Sequence, residues 1–402
     1  MEGTLVRDKK QDTLLYAGAL KIRITDWFFL KEKAELKYIG LEDAVIKLQR
    51  RDSVWNYQFI ADYFASPKAK QKKAGGIDFD LKKVDLKNVS FFENDLWRGE
   101  RMNIKVSSLL LDAEKINLTT KNFIIDELTI DNPYFYILNL PGLRPDSLIH
   151  HINPKADTGL KMNPGNMVLN IKKWQIKNGT VSILGNEHPF DNYFDGSHLV
   201  ISKINGKFNN TVLLKDTLRS DVEITAKERS GLELKKLKAK FRVTPQIMEF
   251  AKLDLQTNKS KLGDYYAMKY KAFNDDFSDY INKVVMDARI KDAKVSSDDI
   301  AFFAPELKSW KKEVSLSGIC SGTVANFNVK NFFAKAGGTT YISGTFAMKG
   351  LPDINQTQID FNNGVLKTNY NDISIFAPSV KQVHVPDLAS LGDILFRGNF
   401  NG

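Results

Sequence analysis

The chain has 402 residues, a formal net charge of +10, 43% hydrophobic residues and a single cysteine, Cys320. That content suits a folded protein rather than an integral membrane domain, and no run approaches the roughly 18 to 20 apolar residues of a spanning helix. One cysteine excludes an intrachain disulfide framework and a Cys-based zinc cluster, and no charged n-region followed by an apolar h-region opens the chain as a signal peptide would.

The first predicted element begins at Leu36, with apolar residues at Ile39 and Leu41, an acidic residue at Asp43, and a shifted apolar alternation at Ile46 and Leu48. The same pattern returns from Leu81 (Val84, Leu86, Asn88, then Val89 and Phe91), from Ile125 (Leu128, Ile130, Asn132, then Phe135 and Ile137) and from Ile171 (Trp174, Ile176, Asn178, then Val181 and Ile183). The starts at 36, 81, 125 and 171 are 45, 44 and 46 residues apart. A fixed period of this size marks stacked supersecondary units rather than one compact enzyme core. Strict alternation reads as strand, and the change of parity at each Asp or Asn reads as a tight reversal. Each copy is therefore expected to be a β-hairpin, pairing Leu41 with Ile46, Leu86 with Phe91, Ile130 with Phe135 and Ile176 with Val181. Asn178-Gly179 suits a type I′ turn, whereas Asn132-Pro133 requires a longer loop because proline fixes φ negative.

After the first copy, Trp55, Phe59, Ile60 and Tyr63 predict a short amphipathic helix over 55–64, followed by a basic loop at 68–76. After the third, Asp146 can cap a helix through Ile152, with a loop over 153–165. Residues 232–243 and 248–255 read as amphipathic strands, and 276–285 as a short helix. A second repeat family then appears: 300–305 (IAFFAP) matches 373–378 (ISIFAP), and the glycine-centred 316–322 is echoed by 396–402, where the chain stops as if cut from something longer. The expected organisation is 1–190 hairpin repeats, 191–295 a β-rich middle segment and 296–402 glycine-centred repeats.

One face of every repeat is apolar and the other carries Lys, Glu, Asp, Thr and Gln. A sheet with one apolar face is covered by a second sheet or by helices, or is curled so that the face lines a groove; periodicity does not separate the two. The positive charge is spread along strand faces without interleaved aromatic clusters, a basic surface rather than a nucleic-acid footprint.

No catalytic pattern is present. Asn205-Gly206-Lys207-Phe208 lacks the remainder of a Walker loop, and no nucleophile elbow, His-Glu-x-x-His or EF-hand loop occurs. His150 and His151 are adjacent and point apart, and His188, His198 and His384 are isolated. The pairs Asp275-Asp276 and Asp298-Asp299 sit in turn-like surroundings where capping explains them. The sequence reads as a non-enzyme without cofactor or metal.

The apolar-x-x-apolar-x-apolar-x-Asn/Asp repeat resembles the AsmA-like family, and within it the TamB-type proteins of the Gram-negative envelope. Residues 19–24 with 34–50 resemble the first family repeat, and 237–262, particularly 255–262 (LQTNKSKL), and the strands around Gly318 and Gly398 resemble later ones. The resemblance implies a mainly β protein, an elongated and curled antiparallel β-sheet with a few short helices, tethered in the periplasm by an inner-membrane helix that this chain lacks. It implies phospholipids as partners, shielded by the apolar face, and a BamA-like outer-membrane barrel reached through a C-terminal domain also absent here. The expected groove residues are Ile39, Leu41, Ile46, Leu48, Val84, Leu86, Phe91, Leu128, Ile130, Phe135, Ile137, Trp174, Ile176, Val181 and Ile183. The alternative is a β scaffold that chaperones or docks envelope proteins by strand addition. An enzyme acting on envelope glycans would need an acid/base pair that the sequence does not supply.

Overall fold

The computed structural model describes residues 1–24, 34–65, 77–78, 81–117, 120–145, 161–185, 189–353, 356–376, 390 and 392–402. The basic segment 68–76, the helix expected over 146–152, residues 153–160, and His150, His151, His188 and His384 lie outside the described residues. Among the described residues the protein is mainly β, with 67% in strands and 8% in helices. Two compact units divide it, Met1–Gly231 and Leu232–Gly402.

The first unit contains β1 (Glu2–Arg7), β2 (Thr13–Ile24), β3 (Ala34–Arg50), β4 (Ile77–Asp78), β5 (Lys83–Asp95), β6 (Glu100–Asn117), β7 (Asn122–Asp131), β8 (Tyr134–Asn139), β9 (Val168–Leu184), β10 (His198–Leu214) and β11 (Thr217–Glu228). The four sequence copies are not hairpins. β3 runs straight through Asp43, β5 through Asn88 and β9 through Asn178, and the third copy divides at Asn132-Pro133 into β7 and β8, which both stay between β6 and β9.

The physical reason lies in one torsion. Asp43, Asn88, Asn132 and Asn178 have φ of 48°, 49°, 48° and 52°, while the residues after them are not left-handed. A type I′ reversal needs two consecutive left-handed residues. A single one steps the parity of the strand without turning the chain back, and the pairing with β2 and β6 runs past Asp43 and Asn88 with no shift of register. Asp and Asn hold that conformation more readily than other non-glycine residues.

Successive copies instead lie side by side in parallel. Leu41 pairs with Leu86 and Ile46 with Phe91 across β3 and β5, while Ile130 pairs with Ile176 and Phe135 with Val181 across β7/β8 and β9. β6 runs antiparallel between the second and third copies. A parallel neighbour requires a crossover connection, which is the place of the helix Gln58–Ala65 after the first copy. The Asx residues form a ladder across the sheet: Asn88 Nδ2 donates to Asp43 Oδ1 (2.6 Å) and Asn178 Nδ2 to Asn132 Oδ1 (2.8 Å).

The second unit is a meander of β12 (Glu233–Thr244), β13 (Ile247–Gln256), β14 (Lys261–Lys269), β15 (Val285–Ser296), β16 (Glu313–Thr323), β17 (Asn326–Ala336), β18 (Thr340–Lys349), β19 (Gln358–Asn369) and β20 (Asp393–Asn401), each antiparallel to the next. The helix expected over 276–285 is two shorter ones, Phe273–Phe277 and Tyr280–Lys283, and β15 begins at Val285. In this unit the left-handed residues do sit in bulges, with Lys252, Asp292, Asn331 and Asn363 on alternate strands. The glycines at 318, 344 and 398 lie on the strands facing the last three, so the glycine-centred repeat marks the partner side of each bulge.

Candidate functional site: the apolar sheet face

Registered pairing joins the apolar residues of the first unit into rows that run across the strands. One row is Ile22, Ile39, Val84, Leu111, Leu128, Trp174, Phe208 and Val222. The next is Leu20, Leu41, Leu86, Leu109, Ile130, Ile176, Gly206 and Ile224. Beyond the left-handed residues, Leu15, Ile46, Phe91, Ile104, Phe135, Val181 and Ile201 form a third. Residues directly opposite across paired strands share a face.

The shared parity step keeps these rows on one side. Ala17, Ala44 and Val89 form a buried cluster against which Leu41 and Leu86 pack, so residues before and after Asp43 and Asn88 meet on the same surface. A second cluster of Leu81, Ala113, Ile116, Ile125 and Ile171 receives Ile39, Val84, Leu128 and Trp174.

Four of the fifteen residues expected to form the groove thus meet in one contact cluster and two in another, and Ile46, Phe91, Phe135, Val181, Ile137 and Ile183 continue the face by register. Leu48 lies at the boundary, opposite Glu93. Burial, together with the neighbouring carboxylates of Glu100 and Asp95, pushes the Glu93 carboxyl above its ordinary value. All fifteen are half-buried: none is sealed and none is fully exposed. Among the described residues, the largest side chains that are completely buried are Val284 and Asp95. Alanines form the largest group among the buried hydrophobic residues described, and the fifteen motif residues stand half in solvent.

Trp174 shows how the face is fixed. Its ring stacks on Phe208 with centroids 3.7 Å apart and planes at 9°, and its indole N–H donates to Thr211 Oγ1 at 2.8 Å. Thr211 is in turn 2.7 Å from Ser220 Oγ. The polar end of the indole is thereby satisfied and the apolar ring joins the row. The opposite face is solvated and carries cross-strand ion pairs, Lys21–Glu42 (2.7 Å), Lys87–Glu42 (3.3 Å) and Lys172–Asp126 (2.6 Å).

The second unit builds a comparable face from bulkier groups. Phe241, Phe250, Tyr266, Ala288, Cys320, Val329, Phe346, Phe361 and Phe400 follow one another across nine strands. Beside them runs Val243, Met248, Met268, Met286, Gly322, Phe327, Met348 and Ile359. Over the last four strands the face hollows into a cavity of about 590 Å³ lined only by apolar side chains, among them Phe332, Phe346, Phe361, Leu366, Phe396 and Phe400. A Cβ on Gly364 would lie 2.0 Å from the Phe361 ring, so that glycine makes room for the aromatic floor. Cys320 is half-buried in the row, and burial raises its thiol pKa, which fits a small apolar residue rather than a nucleophile.

Groups with chemistry elsewhere serve turns. Asp299 accepts from the Thr257 hydroxyl (2.6 Å) and the Lys259 and Ser260 N–H groups (2.9 and 2.8 Å), and Asp276 accepts from the N–H of Lys271 (2.5 Å). His198 is not isolated as its sequence position suggests: its Nδ1 lies 2.7 Å from Asp195 Oδ2, and both side chains are buried. Burial opposes ionisation of Asp195, but His198 and the Ser197 N–H outweigh it and hold the carboxyl below its usual range. The local signal was Asp195-Gly196-Ser197, a turn that brings residues three apart together. Among the described residues, no group of His, Cys, Asp and Glu is arranged to hold a metal ion, and no helix is long and apolar enough to cross a membrane.

Each unit therefore presents an apolar face across its strands, and in the first unit cross-strand ion pairs lie on the opposite surface. No family model, curated protein or solved structure matches the chain.

Proposed function

We propose that the protein carries phospholipids by sheltering their acyl chains against this face, as a TamB-type member of the AsmA-like family acting in the periplasm between the inner and outer membranes. The observation that carries the reading is the set of apolar rows that cross the strands, in which all fifteen motif residues are half-exposed. Each methylene removed from water contributes about 0.8 kcal/mol, so an acyl chain laid along such rows loses little on leaving a bilayer, while its headgroup stays in water. Inner-membrane tethering and docking to a BamA-like barrel belong to this reading through the resemblance of the repeat.

Native mass spectrometry of the purified chain tests it. The unaltered protein is expected to carry phospholipid masses, and Leu86→Asp or Ile130→Asp to lose them while keeping the circular dichroism of a folded β protein. A clean apo mass for the unaltered chain, or full lipid occupancy in both variants, would sink the proposal.

A further inference from the structure

A fourth row crosses the apolar face of the first unit, and it contains an acid. Beyond Ile46, Phe91 and Phe135, register joins Leu48, Glu93, Met102, Ile137, Ile183 and Leu199. Strand residues two apart share a face, so Glu93 stands on the same surface as Phe91, about 7 Å further along β5. Every other member of the four rows is apolar or glycine. Glu93 is thus the one ionisable side chain in them.

The next step along the strands closes the face with charge. Asp95 lies opposite Arg50 and Glu100, and Glu100 opposite Asn139. Arg50 is engaged within this group: its Nε and Nη2 donate to the Asp95 carboxylate at 2.8 and 2.6 Å, and its guanidinium lies 4.6 Å over the Trp55 ring. Asp95 is buried and also accepts from the Arg98 N–H at 3.0 Å. Glu93 and Glu100 are half-buried and make no hydrogen bond or ion pair. Burial first, then Glu100 and Asp95, disfavour the charged form of Glu93, and Arg50 and the exposed Arg98 do not offset them. Lys9 and Lys10 line a hollow with Asp8, Asp12, Asp52 and Asp62 that Glu93 does not border. A carboxylate held among apolar residues without a partner is unfavourable, and a cation arriving from outside relieves it.

Resting on the proposed carriage of phospholipid, this position names the headgroup. Acyl chains on the first three rows leave a headgroup at the fourth, where the protein offers an acceptor that lacks a donor. We infer that Glu93, with Glu100 beside it, makes the face selective for phospholipids whose headgroup ends in a primary ammonium, as in phosphatidylethanolamine, over anionic ones. A primary ammonium donates charge-assisted hydrogen bonds to a carboxylate. The net negative headgroup of phosphatidylglycerol brings like charge to the same place, and the quaternary nitrogen of phosphatidylcholine has no N–H to donate.

Competition followed by native mass spectrometry tests the inference. The delipidated full chain is offered equal amounts of phosphatidylethanolamine and phosphatidylglycerol with identical acyl chains. The unaltered protein is expected to take up phosphatidylethanolamine about tenfold over phosphatidylglycerol, the ratio that one hydrogen bond to a charged group supplies. Glu93→Gln, which keeps the size of the side chain, is expected to lose that preference, and Glu93→Lys to reverse it. Glu127→Gln makes the same change at an exposed residue on the opposite face and should keep it. Free ethanolamine at the same concentration should not lower the uptake; if it does, Glu93 is a site for small amines and the inference fails. Equal uptake of the two lipids by the unaltered chain, or a preference that survives Glu93→Gln, overturns the inference and leaves lipid carriage standing. Uptake of neither lipid overturns both.

Discussion

Asn178 carries two properties that can be separated by substitution. Its left-handed backbone (φ 52°) steps the alternation of β9, and its side chain bonds to Asn132 at 2.8 Å. Glycine adopts that backbone freely and loses only an exposed hydrogen bond, so Asn178→Gly is expected to stay within about 0.5 kcal/mol of the unaltered protein. Asn178→Val places a β-branched residue where L side chains clash with the following carbonyl, and is expected to cost about 1–2 kcal/mol. The urea midpoint of the transition that involves the first unit reads both, and equal midpoints for the two variants would refute the left-handed torsion at Asn178. These same residues explain why the sequence reads as hairpins. Asn or Asp reports correctly that one torsion is left-handed, but whether the chain reverses depends on the next residue's torsion. Gly179 permits either outcome, and register with β10 and β7 decides it. Position within each motif was legible and the identity of its partner was not, because 45-residue spacing is equally compatible with stacked hairpins and with parallel neighbours.

At the scale of elements, the second unit depends on carboxylates that clasp a neighbouring turn. Asp372 is buried and receives N–H donors from Gly338, Thr339 and Thr340 as well as the hydroxyls of Thr339 and Thr340. The Thr339 N–H above all, with the other donors outweighing burial, holds its carboxyl well below the ordinary range. A depressed folded value means that the clasp is fully present above the unfolded pKa of about 4 and is lost only as pH falls through the lower folded value. Asp372→Ala is therefore expected to destabilise the second unit by about 2–3 kcal/mol at neutral pH. That difference should persist at pH ~4 and shrink only in stronger acid, as followed by thermal unfolding. A difference that vanishes as pH falls from 7 to 5 would contradict the clasp. Helical periodicity at Trp55, Phe59 and Ile60 did locate the helix Gln58–Ala65. The clasp itself escaped the sequence, since Asp299 and Asp372 bind turns 39 and 33 residues earlier. Only the recurrence of 300–305 at 373–378 hinted that the two loops are built alike.

For the whole molecule, the decisive quantity is how much apolar surface the native state leaves in water. Sealed globular proteins unfold with a heat-capacity increase of about 12–15 cal/mol/K per residue, because large side chains pass from a dry core to solvent. Here alanines form the largest group among the buried hydrophobic residues described, and the fifteen motif residues of the first unit are already half-hydrated when folded. Delipidated protein is accordingly expected to unfold with a heat-capacity change below about 12 cal/mol/K per residue in scanning calorimetry. Added phospholipid should raise that value, since bound acyl chains complete the burial, and should raise the melting temperature with lipid concentration as mass action requires. The sequence supplied a one-sided apolar strip but was silent on its cover, because alternation encodes which side chains share a face and not what stands opposite them. If delipidated protein unfolds with an ordinary heat-capacity change and phospholipid leaves it unaltered, the face is closed in solution and lipid carriage fails with it; if both quantities respond, the half-exposed rows are the binding surface.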